Sequence, residues 1–218
     1  MTSIIKTNDG SNSIYSNIFN DQYHSLHGAF QESEHIYIQT GFNYCKQNPI
    51  KIFEVGFGTG LNTILTIREG LKRNIRIEYH TIELFPLGLN LINQLNYSEF
   101  LSPDLNVFYN QLHECKWNEE IEITKKFIFR KIKSDFHNYS FDKKFDLIYF
   151  DAFASEKQPT MWTTKIFTKI YNCLNQEGIL TTYSSKGIVK NNLRDVGFYV
   201  KRLAGPKGKR HILRASKI

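Results

Sequence analysis

The residues with the clearest chemical potential form one run, Glu54-Val55-Gly56-Phe57-Gly58-Thr59-Gly60. Glycines at alternate positions let a backbone turn sharply and approach a ligand closely. A dinucleotide fingerprint would have its third glycine where this chain has Leu61. The spacing therefore points away from NAD and FAD. It points toward a nucleoside cofactor without a pyrophosphate, of which S-adenosylmethionine is the common one. Glu54, Gly56, Phe57, Gly58 and Gly60 are the candidate contacts of this loop. Further along, Glu83 can accept hydrogen bonds from both ribose hydroxyls. Asp135 can accept one from an adenine amino group, and Phe136 beside it can cover the adenine face. Asp151 opens the run Asp151-Ala152-Phe153-Ala154. A carboxylate there can orient an acceptor amine and take its proton, and Phe153 can stack on an acceptor base.

These side chains need a scaffold, and the pattern after Pro49 supplies one. Strands are expected at 50–55, 75–84, 127–133, 145–150, 178–184, 198–200 and 211–213. Helices are expected at 61–67, 87–95, 160–174 and 187–195, with a helix and an irregular loop within 98–126. Strands alternating with helices predict an α/β, Rossmann-like sheet of seven mostly parallel strands. The last two strands are joined too closely for a crossover, so they should form an antiparallel hairpin. Glu83, Asp135 and Asp151 each fall at the carboxyl end of a strand, where doubly wound sheets bind ligands. Residues 1–48 read as an N-terminal extension, with a β-ribbon turning at Asp9-Gly10 and one helix. Residues 49–218 form the main domain.

Composition narrows the class. With 41% hydrophobic residues the chain can bury a core, which excludes bulk disorder. No apolar run reaches the roughly 18 residues of a membrane helix, and the N-terminus has no basic stretch followed by an apolar one, so a cytoplasmic protein is expected. Cys45, Cys115 and Cys173 are odd in number and far apart, which predicts reduced structural thiols. His24, His27 and His35 cluster loosely without a ligand-spaced partner set, so no metal is expected. The formal net charge is +7, but residues 186–218 hold ten basic side chains against one acidic, Asp195. The rest of the chain is slightly acidic. A basic C-terminal end suggests an anionic partner, with nucleic acid the leading case.

Together these residues resemble the methyltransferase domain of the MnmC proteins, which complete 5-methylaminomethyluridine at the tRNA wobble position. The resemblance spans nearly the whole chain. It rests on Asp9-Gly10-Ser11, Tyr23-His24-Ser25, Gly28-Ala29, Glu32-Ser33-Glu34-His35, the glycine run with its Leu61-Asn62, and Asp151-Ala152-Phe153-Ala154 with Lys157, Pro159, Met161 and Trp162. The end, from Val196-Gly197-Phe198 through Gly205-Pro206 to Lys209-Arg210, belongs to it too. The resemblance implies a class I methyltransferase fold. It implies methyl transfer from S-adenosylmethionine to the primary amine of 5-aminomethyluridine or its 2-thio form, with Asp151 catalytic. Gly56, Gly58, Glu83 and Asp135 match cofactor positions, and Tyr23 and Glu32 match motif residues bordering the site. Phe153, Lys157, Lys207, Lys209 and Arg210 complete the candidate substrate contacts, the last three on the phosphates of the anticodon arm. The bifunctional members carry a flavin-dependent oxidase domain. This chain ends at Ile218, so it is expected to take the aminomethyl form directly. Two other readings stay open: another class I methyltransferase or an aminopropyl transferase, and a non-catalytic RNA-binding module.

Overall fold

The structure is a computed structural model that describes residues 2–218. The chain begins with a small antiparallel sheet of β1 (Ser3–Lys6), β2 (Asn12–Ser16) and β3 (Asp21–Gln22). The turn between β1 and β2 is made by Asp9-Gly10, with the Asp9 carboxylate accepting from the Ser11 N–H at 3.0 Å. Helix α1 (Ala29–Ser33) runs directly into a π-helical stretch, Glu34–Gln39. Ile14, Ala29, Ile36 and Phe42 of this extension are buried in one cluster with Ile52 and Leu61.

The main sheet contains β4 (Ile50–Val55), β5 (Ile77–Glu83), β6 (Glu120–Thr124), β7 (Phe127–Lys133), β8 (Phe145–Phe150), β9 (Leu174–Thr182), β10 (Tyr199–Ala204) and β11 (His211–Ser216). Its order is β10-β11-β9-β8-β4-β5-β7-β6. The five inner strands from β9 to β7 are parallel, while β6, β11 and β10 run antiparallel to their neighbours. Helices α2 (Leu61–Arg73), α3 (Leu89–Ile92), α4 (Pro103–Glu114), α5 (Thr164–Cys173) and α6 (Gly187–Asp195) cover the two faces. The period-two alternation of β4 shows the division. Ile50 and Ile52 join the cluster under α2 and α4, whereas Phe53 and Val55 join the one under α5 and α6.

The seven expected strands and the C-terminal hairpin are all present, and β6 makes an eighth. It lies in the stretch expected to be an irregular loop. Glu120-Ile121-Glu122-Ile123-Thr124 alternates charged and apolar residues, the pattern of a half-covered edge strand. The helix expected at 87–95 is a single turn, because Leu89 stays exposed and of α3 only Ile92 is buried. Strand β5 starts at Ile77, since the Ile75 N–H instead bonds Gly70 O behind the left-handed Asn74 that ends α2. Chain direction across the sheet reverses between β4, which leads to β5, and β8, reached later on β4's other side. That crevice is the place where such sheets hold ligands.

Candidate active site

A cavity of about 420 Å³ opens at the carboxyl ends of β4, β5, β7 and β8, within the range of small-molecule sites. Its wall begins at the glycine turn. Gly56 has φ +95°, and a Cβ there would lie 2.6 Å from the Asp151 carbonyl oxygen. Only a bare backbone lets β4 and β8 end so close together. The Gly58 N–H donates to Glu83 Oε2 at 3.2 Å, and the Phe85 N–H to Oε1 at 2.9 Å. Two backbone donors thus fix the Glu83 carboxylate at the rim, where its remaining lone pairs can accept from a diol. Burial raises the Glu83 carboxyl above its usual range.

Asp151 lies on the floor. Tyr37 donates its hydroxyl to Oδ1 at 2.5 Å, and Asn62 donates its amide to Oδ2 at 2.8 Å. Burial nevertheless pushes the Asp151 carboxyl up to about 7, against those hydrogen bonds. The Asn62 amide also donates to Glu54 Oε1 at 3.0 Å, and Thr63 to Glu54 Oε2 at 3.2 Å. Glu54 faces α2 because it follows Ile52 by two residues on the same face of β4. Enclosed there, its carboxyl is pushed up to about 8 by burial. Asn62 Oδ1, buried and on the cavity wall, has no hydrogen-bond partner among the described residues.

On the opposite flank, Asp135 Oδ1 accepts from the backbone N–H of His137 and pairs with its ring Nδ1, both at 2.8 Å. The backbone donor holds its carboxyl below the usual range. Phe136 beside it is buried against Phe53 and Phe141, with Lys169 Nζ 5.3 Å from its ring centre. Aromatic rings close the mouth. Phe153 stacks on Phe19 at 4.2 Å between centroids and meets Tyr23 edge-on at 5.0 Å.

The fold therefore gathers Tyr23, Glu32, Gly56, Phe57, Gly58, Glu83, Asp135, Phe136, Asp151, Phe153 and Lys209 around one cavity. Five other candidates do not line it. Glu54 sits behind the loop as the anchor of Asn62 and Thr63. Gly60 turns away, with a Cβ position 2.9 Å from His113 Nε2. Lys157, Lys207 and Arg210 are exposed outside the lining. Sequence reasoning missed Tyr37, Phe19 and Tyr183 as site residues. They arrive from distant segments and carry no local motif. For Asn62, its place in the first turn after the glycines is a usable signal. The three N-terminal histidines have separate partners: Ser13 and Thr59 for His24, the Gly208 turn for His27, and Ala204 O for His35. All three cysteines are free thiols.

A family model described as S-adenosyl-L-methionine-dependent methyltransferase matches residues 97–218. The chain belongs to this family. The cofactor of this methyltransferase is S-adenosyl-L-methionine. The cavity suits it: a glycine turn without side chains, a fixed acidic acceptor at a strand end, and an amide oxygen left without a protein partner. Among curated relatives, the methyltransferase is 30% identical over 212 residues to the tRNA 5-methylaminomethyl-2-thiouridine biosynthesis bifunctional protein MnmC of Campylobacter fetus. That match covers 93% of this chain and 34% of the relative. The protein of the same name from Leptospira interrogans is 27% identical over 226 residues, covering 89% of this chain and 32% of its own length. The chain thus spans about a third of the length of these relatives. Among solved structures, MNMC2 from Aquifex aeolicus superposes with a TM-score of 0.81 at 24% identity, over 99% of this chain and 70% of that one. Spermidine synthase from Thermotoga maritima superposes with a TM-score of 0.58 at 13% identity, over 100% and 80%. Both show the same fold. Among the described residues no helix is long and apolar enough to cross a membrane.

Proposed function

We propose that this methyltransferase methylates the primary amine of 5-aminomethyluridine, or its 2-thio form, at the wobble position of tRNA. The observation that carries the reading is Asp151, a carboxylate on the cavity floor whose affinity for protons is raised to near neutrality. An alkylammonium must lose a proton before its nitrogen can attack, and a base with a pKa near the working pH suits that transfer. The shared name of the MnmC relatives supports the acceptor.

Bound S-adenosylmethionine supplies an electrophilic methyl group on a sulfonium that leaves as a neutral thioether. In this reading Glu83 holds the ribose hydroxyls, Asp135 accepts from the adenine amino group, Phe136 backs the ring, and Gly56, Phe57 and Gly58 form the close wall. Tyr37 and Asn62 aim Asp151, which takes the proton of the acceptor. The wobble base lies in a single-stranded loop and can be splayed into the mouth, where Phe153 offers a stacking face once Phe19 moves off it. Lys201, Arg202, Lys207 and Arg210 are exposed on the C-terminal hairpin and are suited to phosphates of the anticodon arm. This reading implies the cytoplasm, where tRNA is modified.

One observation also favours an aminopropyl transferase. The cavity is lined by five carboxylates, Asp21, Glu32, Glu83, Asp135 and Asp151, and by one lysine, a lining that also fits a linear polyamine. The test is mass spectrometry of nucleosides after incubating tRNA carrying 5-aminomethyluridine with the protein and S-adenosylmethionine. A parallel incubation uses decarboxylated S-adenosylmethionine and a linear diamine. The methylated nucleoside is expected. Its absence, with aminopropylated diamine present, overturns the proposal.

A further inference from the structure

The protein holds a primary ammonium ion of its own inside the cavity. Lys209 sits on the turn between β10 and β11, with Nζ 3.3 Å from Glu32 Oε1 and 4.8 Å from the centre of the Tyr183 ring. Lys209, Glu32, Tyr183 and Asp151 all line the same cavity. Glu32 is only 9% exposed, and its other oxygen accepts from the Ser25 N–H at 2.7 Å. A carboxylate so enclosed is costly to keep without a cation beside it. The Tyr183 ring is fixed by its hydroxyl, which donates to Ala152 O at 2.8 Å. Its face is therefore a preset cation surface. The end of the Lys209 side chain is CH2–NH3+, the same chemical group as a protonated aminomethyl arm.

We propose that Glu32 and the face of Tyr183 form the subsite for the protonated aminomethyl group of the acceptor, and that Lys209 occupies this subsite until the acceptor displaces it. The proposal rests on the reading of a primary-amine acceptor given above. The acceptor enters as R–CH2–NH3+, its charge met by Glu32. One N–H bond breaks and its proton passes to the Asp151 carboxylate. The freed lone pair forms the new N–C bond as the methyl–sulfur bond breaks, with that bonding pair going to sulfur. The product leaves as R–CH2–NH2+–CH3, and Asp151 returns its proton to water. An uncharged arm of the same size cannot displace Lys209 from Glu32, so the subsite selects by charge. It also gives Lys209 a role distinct from phosphate binding.

The test compares two nucleosides at pH 7, 5-aminomethyluridine and the uncharged 5-hydroxymethyluridine, titrated by NMR into the intact protein. The wild type is expected to prefer the amine by roughly tenfold, as for one charged hydrogen-bonded contact. Glu32→Gln should erase the preference. Lys209→Met should tighten both nucleosides several-fold, because the resident competitor is gone, and keep the preference for the amine, because Glu32 remains. S-adenosylmethionine binding by each variant checks that it is folded. Equal binding of the two nucleosides by the wild type, no binding of either, or a weaker amine in Lys209→Met would overturn the subsite. The acceptor reading fails separately: a retained charge preference with no methylation of tRNA overturns that reading and leaves the subsite standing.

Discussion

Asp151 and Asp135 stand just past the ends of two parallel strands, β8 and β7, on the same edge of one sheet, yet their surroundings drive them apart. Asp151 receives two side-chain hydrogen bonds and is still pushed up to about 7, because burial outweighs them. Asp135 receives a backbone N–H and a histidine ring while 36% of its side chain stays in solvent, and its carboxyl is held below the usual range. Desolvation, rather than the number of donors, decides which carboxylate can change its protonation near neutral pH. One is poised to accept a proton during turnover. The other stays an anion throughout and serves as a constant hydrogen-bond acceptor.

The sharpest way to break this contrast is to make the same substitution at both positions. Asp151→Asn keeps the shape of the floor and removes the base. It is expected to lower the single-turnover rate by about 10²-fold or more, with S-adenosylmethionine affinity unchanged. Asp135→Asn is expected to weaken the cofactor by about tenfold, on the scale of one hydrogen bond to a charged group, with little change in rate at saturation. Rapid quench and equilibrium dialysis read the two quantities. If the effects were exchanged, the roles would be too.

A second, smaller effect lies in pH dependence. The rate at limiting acceptor should rise as pH passes through about 7, since Asp151 acts as the carboxylate. Glu54 is joined to Asp151 through the Asn62 amide, and the charge of Asp151 adds to the proton affinity that burial gives Glu54, while the charge of Glu32 adds to that of Asp151. Glu32→Gln should therefore move the rising limb to lower pH, because it removes the negative charge that raises Asp151. Stability follows the opposite sign. Both carboxyls bind protons more tightly folded than unfolded, so their contribution to stability is complete below the ordinary carboxylate range. It is lost as pH climbs through about 7 to 8. The melting temperature should fall from pH 5 to pH 8.5, and less steeply in Glu54→Gln. A melting temperature flat across that range in the wild type would remove the buried pair from this account.

The contrast also marks what a sequence can reveal. Glu83, Asp135 and Asp151 were legible because strand ends are readable from apolar runs, and the carboxyl edge of a doubly wound sheet is where function gathers. The raised proton affinity of Asp151 was not legible, because it depends on burial and then on Tyr37, Glu32 and Lys209, which are brought beside it from 114, 119 and 58 residues away along the chain. Glu54 looked like a cofactor contact because it adjoins the glycines, but the alternation of β4 turns it under α2. Edge strand β6 was missed although its alternation is regular, because charged residues on the open face hide a strand that is only half covered.

The smallest effect concerns the basic C-terminal end, where charge alone does not predict partners. Arg214 is held by Thr40 O at 3.3 Å and lies 3.4 Å from the Tyr44 ring centre. Lys217 donates to Tyr171 O at 2.9 Å and Leu174 O at 3.0 Å. Lys207 and Arg210, by contrast, are exposed on the turn that carries Lys209 beside the cavity. Counterion release gives each phosphate contact a slope of roughly 0.7 to 0.9 in log affinity against log salt. Replacing Lys207 and Arg210 by Gln should therefore flatten the salt dependence of tRNA binding by about 1.5, from the same constants, and leave the melting temperature unchanged. Replacing Arg214 and Lys217 by Gln should lower the melting temperature and leave the slope alone. Filter-binding titrations across salt concentrations, beside thermal melts, separate the two pairs. A slope lost equally from both would mean that the whole hairpin meets the nucleic acid and that the contacts of Arg214 and Lys217 open when it binds.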